Sequence, residues 1–236
     1  MLVSQVTGRA VTLPVDEAHH VLHVLRLEGG DPVIVFDGRG GEWDGSVMSA
    51  DKDGVIVQIL DERTPVAEPT LKVTLAVGLL KGSNFDDIVR DATALGVTDI
   101  VPMQTAHCVV PKKARGEDAI ARWDRIAVAA AKQCGRATLP IIHDVTPFID
   151  VLRRPADWRV MCLEPAYPGV ARLTPPPAAV TATVLIGPEG GWSSTEVATA
   201  RLSGYLGLHL GPRVLRAELA PVVALSYLWA AVSATT

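Results

Sequence analysis

Two hydrophobic rhythms divide the chain. From Leu71 onward, short apolar runs alternate with helical patterns, the arrangement of a parallel sheet with crossover helices. The runs predict strands at Leu71–Val77, Val97–Val101, near Leu139–Ile142, and at Trp158–Leu163, Ala182–Ile186 and Gly207–Leu210, hence a sheet of five or six strands. Between them the 3.6-residue pattern predicts a helix from Phe85 to Leu95, with Gly96 as its C-terminal stop, and a long helix from Glu117 to Cys134. The first sixty residues read differently. A helical pattern from Asp16 to Leu27 offers Val21, Leu22, Val24 and Leu25 as its apolar side, and Val33–Phe36, Trp43–Met48 and Val55–Leu60 follow as a β-meander. The first hairpin turns at Asp37-Gly38-Arg39-Gly40-Gly41, where positive φ is tolerated. Asp61 to Pro69 lacks periodicity and carries two prolines, the marks of a linker. The predicted organisation is a small β-rich domain over residues 1–66 and an α/β domain over residues 70–236. Leu219 to Ala234 is too short and alanine-rich to cross a bilayer, carries Ser226, and predicts a buried helix.

Composition narrows the class. Hydrophobic residues at 48% and charged residues at 20% supply a real core and exclude long disorder. The N-terminal residues show no basic stretch followed by an apolar one, so the cytoplasm is the expected location. Cys108, Cys134 and Cys162 match neither a disulfide framework nor a zinc pattern and read as small core residues. His19 and His23 share a helical face, but no carboxylate or cysteine ligand follows at a useful spacing, and no metal is expected. The net charge of −4 speaks weakly against a nucleic-acid partner, and its distribution matters more. Residues 1–68 hold 5 Lys and Arg against 12 Asp and Glu, while residues 69–236 hold 17 against 14, so the larger part is the basic one.

Two glycine-rich loops carry candidate chemistry. Thr183 to Glu196 reads as a buried strand, then Gly187-Pro188-Glu189-Gly190-Gly191, then a helix whose start is marked by Ser193 and Glu196 at capping-box spacing. The glycines let backbone approach a ligand at the carboxyl end of a strand, where open α/β sheets bind. No Lys-Ser or Lys-Thr pair follows, which excludes a phosphate-binding Walker loop, and a tight turn holding no ligand is the plainer alternative. Leu208 to Glu218 repeats the strand-to-glycine pattern with Arg213, Arg216 and Glu218. Charges beside an apolar helix need a partner or an anionic ligand, either an external one or an internal Arg216–Glu218 pair that fixes the loop.

With these residues in view the chain resembles the 16S ribosomal RNA uracil-N3 methyltransferases of the SPOUT superfamily. The resemblance rests on Gly-Pro-Glu-Gly-Gly at 187–191 and Leu-Gly-Pro-Arg-Val-Leu-Arg at 210–216 with Glu218. Lys81-Gly82, Leu95-Gly96-Val97, Gln133-Cys134-Gly135-Arg136 and Pro140 fall in the family's order, and His20, Leu25-Arg26 and Gly30-Asp31 fit its PUA-like N-terminal domain. Departures stand at Ala94, where the family has Glu, at Ala106-His107, where Thr105 would be followed by Glu-Arg, and at Ala217 and Leu219, where Thr is common.

The resemblance implies an α/β domain tied in a deep C-terminal trefoil knot behind a PUA-like β-barrel domain. It implies S-adenosylmethionine held by three loops: after Leu163, at Ile186, Gly187, Pro188, Glu189, Gly190 and Gly191, and at Leu210, Gly211, Val214 and Leu215. It further implies a homodimer through the knotted domain, with 16S rRNA or the small ribosomal subunit as partner. The implied reaction moves a methyl group from a sulfonium to N3 of a uridine, so alignment matters more than a covalent intermediate. Arg216 is expected to stabilise the charge on O2 and O4 once N3 loses its proton. Glu218 either accepts that proton, directly or through water, or orients Arg216. The uridine must leave its stack to react.

Arg122, Arg125, Lys132 and Arg136 fall within roughly 80° of one another on a helix, and with Lys112 and Lys113 just before them they form a stripe suited to phosphates. Arg26, Lys81 and Arg213 complete the expected RNA contacts. A non-catalytic RNA-binding or ribosome-assembly protein, and a SPOUT enzyme acting on another RNA site such as a ribose hydroxyl of tRNA, are the alternatives.

Overall fold

The computed structural model describes the chain apart from residues 5, 7, 52–53, 82, 109–116, 169–173, 177 and 234–236. It divides into two compact units, residues 1–68 with 131–139, and residues 69–130 with 140–236.

The first unit is built on an antiparallel sheet of β1 (Ala10–Thr12), β2 (Pro32–Phe36), β3 (Glu42–Asp51) and β4 (Gly54–Glu62), ordered β1-β4-β3-β2. Alternation places Val33 and Val35 of β2, Val47 of β3, and Val55 and Val57 of β4 in one apolar cluster with Val21. Gly45 lies at a register shift in β3, where a Cβ would fall 2.7 Å from the Val57 side chain, so the bulge requires glycine. The expected helix from Asp16 to Leu27 splits into α1 (Val15–His19) and a wider π-helical turn over His20–Leu25. The turn closes at Arg26 in the left-handed region with φ 54°. Of its four expected apolar residues only Val21 is fully buried, and Val24 and Leu25 are exposed. β1 was not expected, and β4 reaches Glu62, so Asp61 and Glu62 are strand rather than linker.

Residues 131–139 complete this unit. Ala131 and Ala137 pack on Phe36, and the Leu139 N–H donates to the Gly38 carbonyl at 2.9 Å. Lys132 pairs with Glu17. Cys134, expected in a core, is exposed, Cys108 is half-buried, and Cys162 alone of the three is buried.

The second unit is an α/β/α sandwich. Its seven strands are β5 (Lys72–Gly78), β6 (Asp99–Gln104), β7 (Ile141–Ile142), β8 (Thr146–Pro147), β9 (Trp158–Leu163), β10 (Thr181–Ile186) and β11 (Leu206–His209). Their order is β11-β9-β10-β5-β6-β7, with β8 also on β6, and every pairing is parallel. The count exceeds the expected five or six because β7 and β8 have two residues each, too short for a hydrophobic rhythm. Its helices are α2 (Asn84–Ala94), α3 (Glu117–Cys134, ending in the first unit), α4 (Phe148–Leu152), α5 (Ser194–Leu202) and α6 (Ala220–Ser233).

The pleat assigns the faces. Val73, Leu75 and Val77 of β5, with Val184 and Ile186 of β10, join Phe85, Trp123 and Leu225 in one core, while Ala76 and Leu185 join Phe148, Val151 and Val197 in the other. Gly96, with φ 85°, ends α2 as a left-handed cap, and the Trp229 indole N–H of α6 donates to the Leu95 carbonyl at 3.0 Å. α6 is not buried all round. Ala224, Leu225 and Leu228 are fully covered, while Ser226 and Tyr227 face solvent. No helix among the described residues is long and apolar enough to cross a membrane.

Candidate active site

The neighbouring strands β11, β9 and β10 point the same way, and their carboxyl ends run into three loops that enclose a cavity of about 450 Å³. Leu163, Ile186, Gly187, Pro188, Glu189 and Gly191 line it from the first two loops, and Leu210, Val214 and Leu215 from the third. Arg216 and Glu218 line the same cavity, and so does Arg213, which was expected as an RNA contact. Gly190 and Gly211 do not. A Cβ on Gly190 would fall 2.9 Å from His107 Cβ, so this glycine admits the segment after β6, and its carbonyl accepts from His107 Nδ1 at 3.1 Å. Gly211 instead supplies a φ of 113° for the turn.

Trp192 fastens the loops. It is 4% exposed, its indole N–H donates to the Cys162 carbonyl at 2.8 Å, and a Cβ on Gly187 would lie 3.1 Å from the ring. The Tyr167 hydroxyl donates to the Trp192 carbonyl at 2.7 Å, and the Tyr167 carbonyl in turn accepts from His209 Nε2 at 2.7 Å. All three strand ends are thereby joined.

The capping box forms as its spacing predicts, with Glu196 N–H donating to Ser193 Oγ at 3.2 Å and Ser193 N–H donating to Glu196 Oε2 at 2.9 Å. Glu196 Oε1 also accepts from the Ala106 N–H at 2.8 Å, which ties the segment after β6 to the start of α5. Glu189 does the same for the segment after β5, accepting from the Lys81 N–H at 3.0 Å. A Cβ on Gly78 would fall 2.7 Å from the Pro188 nitrogen, so β5 and the Gly187–Gly191 loop touch backbone to backbone.

Arg216 Nη1 stands 3.6 Å from Glu218 Oε1, beyond hydrogen-bond range. The two form the ion pair that the plainer reading offered, but with the Arg216 side chain 86% exposed the pair lies at the surface and leaves the guanidinium reachable. Burial pushes the Cys162 thiol up to about 12, so this cavity-lining cysteine is not an available nucleophile. Glu164, in the loop after Leu163 that was expected to hold the donor, also lines the cavity, as does Asn84, which was not anticipated. Only the fold brings Asn84 there, whereas Trp192 lay inside the glycine-rich stretch and was legible.

The expected RNA stripe is largely committed elsewhere. Arg136 follows Gly135, whose φ of 75° terminates α3, so the helical periodicity does not reach it. Instead of meeting phosphate, its guanidinium is buried and holds Glu68 with Nε–O distances of 2.9 and 3.0 Å and Nη2–O of 2.8 Å. Arg122 binds Asp86 at 2.9 Å, and Lys132 is paired as described above. Arg125, Arg26, Lys81 and Arg213 are exposed, while Lys112 and Lys113 lie outside the described residues. Arg136→Ala should therefore act on stability. Breaking a buried pair costs about 3–5 kcal/mol, and the part-exposed Glu68 places this case at the lower end. Thermal unfolding measures that loss, and a weaker RNA affinity at unchanged midpoint would contradict it.

The chain matches the RNA methyltransferase domain family over residues 67–229 and the RNA methyltransferase PUA domain family over residues 13–60. It is 33% identical over 229 residues to the ribosomal RNA small subunit methyltransferase E of Synechocystis, covering 94% of this chain and 73% of that one. A methyltransferase of Legionella pneumophila, solved with its bound cofactor S-adenosylmethionine, superposes with a TM-score of 0.86 at 31% identity over 95% of this chain and 93% of that one. The ribosomal RNA small subunit methyltransferase E of Neisseria gonorrhoeae, bound to S-adenosylmethionine, gives 0.88 at 26% identity over 97% and 95%. With a family match across most of its length and a one-third-identical relative aligned over 94% of this chain, the chain belongs to the RNA methyltransferase family that includes the ribosomal RNA small subunit methyltransferase E proteins.

Proposed function

We propose that this protein transfers a methyl group from S-adenosylmethionine to N3 of a uridine in 16S ribosomal RNA, in the cytoplasm, as a homodimer through an α/β domain whose C-terminal segment is threaded as a trefoil knot. One observation carries the reading: Arg216 and Glu218 line the same cavity as both glycine-rich loops.

The residues fit the donor. The cavity is of small-molecule size, with apolar walls at Leu163, Ile186, Leu210 and Leu215 for an adenine. The carboxylates of Glu164, Glu189 and Glu218 suit a ligand that carries a sulfonium cation. Gly187 and Gly191 leave the room that lets the Trp192 ring and the Glu164 carboxylate pack against the loop. When bound, S-adenosylmethionine supplies an electrophilic methyl group.

The chain's own work is to hold the uracil ring in line and to manage one proton. Arg216, exposed and outside hydrogen-bond range of Glu218, is free to bind the oxygen on which charge builds when N3 is deprotonated. Glu218 is 24% exposed and lines the same cavity beside Arg216, and its carboxylate serves as the proton acceptor. Arg213 beside them supplies a cation for the RNA backbone.

Mass mapping of methylated uridines in 16S rRNA from cells with and without the gene tests this reading. The expected result is loss of one N3-methyluridine, restored by the intact gene. Unchanged methylation would overturn it. Titration calorimetry with S-adenosylmethionine separates the enzyme from a pure RNA-binding protein, which shows no heat.

A further inference from the structure

The reading of the cavity as a donor site gives one of its carboxylates a share in the charge of the site but no specific contact. Glu189 is committed to the Lys81 N–H, and Glu218 stands beside Arg216. Glu164, the first residue past β9, also lines the cavity, and among the described residues none donates a hydrogen bond to its carboxylate. β9 is the middle strand of the three whose ends form the site, so Glu164 sits between the two glycine-bearing loops.

Gly191 shows how closely this side chain is accommodated. A Cβ there would fall 2.2 Å from Glu164 Oε1, and its φ of 67° independently favours glycine. The second glycine of the Gly190-Gly191 pair therefore yields its side-chain space to the Glu164 carboxylate rather than to the ligand.

An ionised carboxylate only accepts hydrogen bonds, and its two oxygens match the paired O–H donors of a vicinal diol. Acidic side chains near strand ends meet ribose in this way in other open α/β folds. We propose that Glu164 binds the ribose hydroxyls of the methyl donor, fixing the nucleoside half of the ligand so that its sulfonium end faces Arg216 and Glu218. This inference rests on the donor-site reading above.

The test is titration calorimetry of the full chain with four ligands: S-adenosylhomocysteine, its 2′-deoxy and 3′-deoxy forms, and 5′-methylthioadenosine, which lacks the amino-acid moiety. Glu164→Gln keeps the shape and removes the charge. It should weaken S-adenosylhomocysteine and 5′-methylthioadenosine alike, by roughly 10- to 100-fold. Each deoxy form keeps one of the two hydroxyls, so Glu164→Gln should weaken the deoxy forms clearly less than it weakens S-adenosylhomocysteine. Glu164→Asp, which retracts the carboxylate by one methylene, should show the same pattern at smaller amplitude. Weakening confined to S-adenosylhomocysteine would mean that the carboxylate meets the ammonium group, and equal weakening of every ligand would mean a structural role. Either outcome, or no weakening, overturns the proposal. Absence of heat with the parent protein would instead sink the donor-site reading.

Discussion

Arg216→Ala should lower kcat/KM for methyl transfer by about 10²- to 10³-fold, the usual effect of removing one preorganised donor from a developing oxyanion. The direction follows from geometry. The guanidinium is 86% exposed at the rim of the cavity, 3.6 Å from the nearest Glu218 oxygen, so it stabilises little of the folded protein and is available to substrate. Thermal unfolding should shift hardly at all, since an exposed ion pair contributes at most about 1 kcal/mol. Affinity for S-adenosylmethionine should also hold, because the loss belongs to the charge that develops on uracil. Single-turnover methylation of 16S rRNA with donor and RNA both saturating isolates the chemical step. A fall in RNA affinity with an unchanged single-turnover rate would make Arg216 a phosphate contact like Arg213, and the assignment of its role would fail. Glu218→Gln separates the second role. If the carboxylate takes the N3 proton, the rate becomes dependent on hydroxide and rises with pH more steeply than in the parent protein, whereas a merely orienting group leaves the slope unchanged.

The features legible in the sequence are those that local stereochemistry dictates. The span of α3 and the core strands β9 and β10 follow from periodicity, and Gly96 ends α2 where a left-handed cap is needed. Ser193 and Glu196 form their box because it requires only residues three apart. The glycine-rich loops announce a backbone that approaches something closely, although that something differs by position: the Trp192 ring at Gly187, the His107 segment at Gly190, the Glu164 carboxylate at Gly191. What periodicity could not convey is partnership across the fold. Arg136 looks like one more cation on a helical stripe, yet Gly135 breaks the helix before it and Glu68 claims it from 68 residues away. Asn84 reaches the cavity only because β5 and β10 lie side by side, a fact of strand order that no single stretch of sequence contains. The π-helical turn at His20–Leu25 defeats the pattern for another reason, since its wider repeat rotates Val24 and Leu25 off the face that a 3.6-residue helix would bury.

Trp192→Ala should be the most damaging single change outside the reacting groups, because its side chain ties the Gly187–Gly191 loop to the end of β9. The ring is 4% exposed, lies 5.7 Å from the Phe148 ring, closes the floor under Gly187, and donates to the Cys162 carbonyl. Truncating a buried aromatic of this size costs about 3–5 kcal/mol, which for a unit of this length lowers the unfolding midpoint by about 10 °C. Trp192→Phe retains most of the packing but leaves the Cys162 carbonyl without its donor, a loss of about 1–3 kcal/mol. Linkage then separates a site effect from a general one. A ligand that binds only the folded state at 100 times its Kd adds about 2.7 kcal/mol of stability. The parent protein should therefore show a large upward shift of its midpoint with saturating S-adenosylmethionine. In Trp192→Ala the loops are no longer held in their binding arrangement, so donor affinity falls and the same ligand concentration should recover only a small part of that shift. If the variant melts lower but gains as much from the donor as the parent does, Trp192 supports the core alone, and the three loops are held in register by the Tyr167 contacts instead.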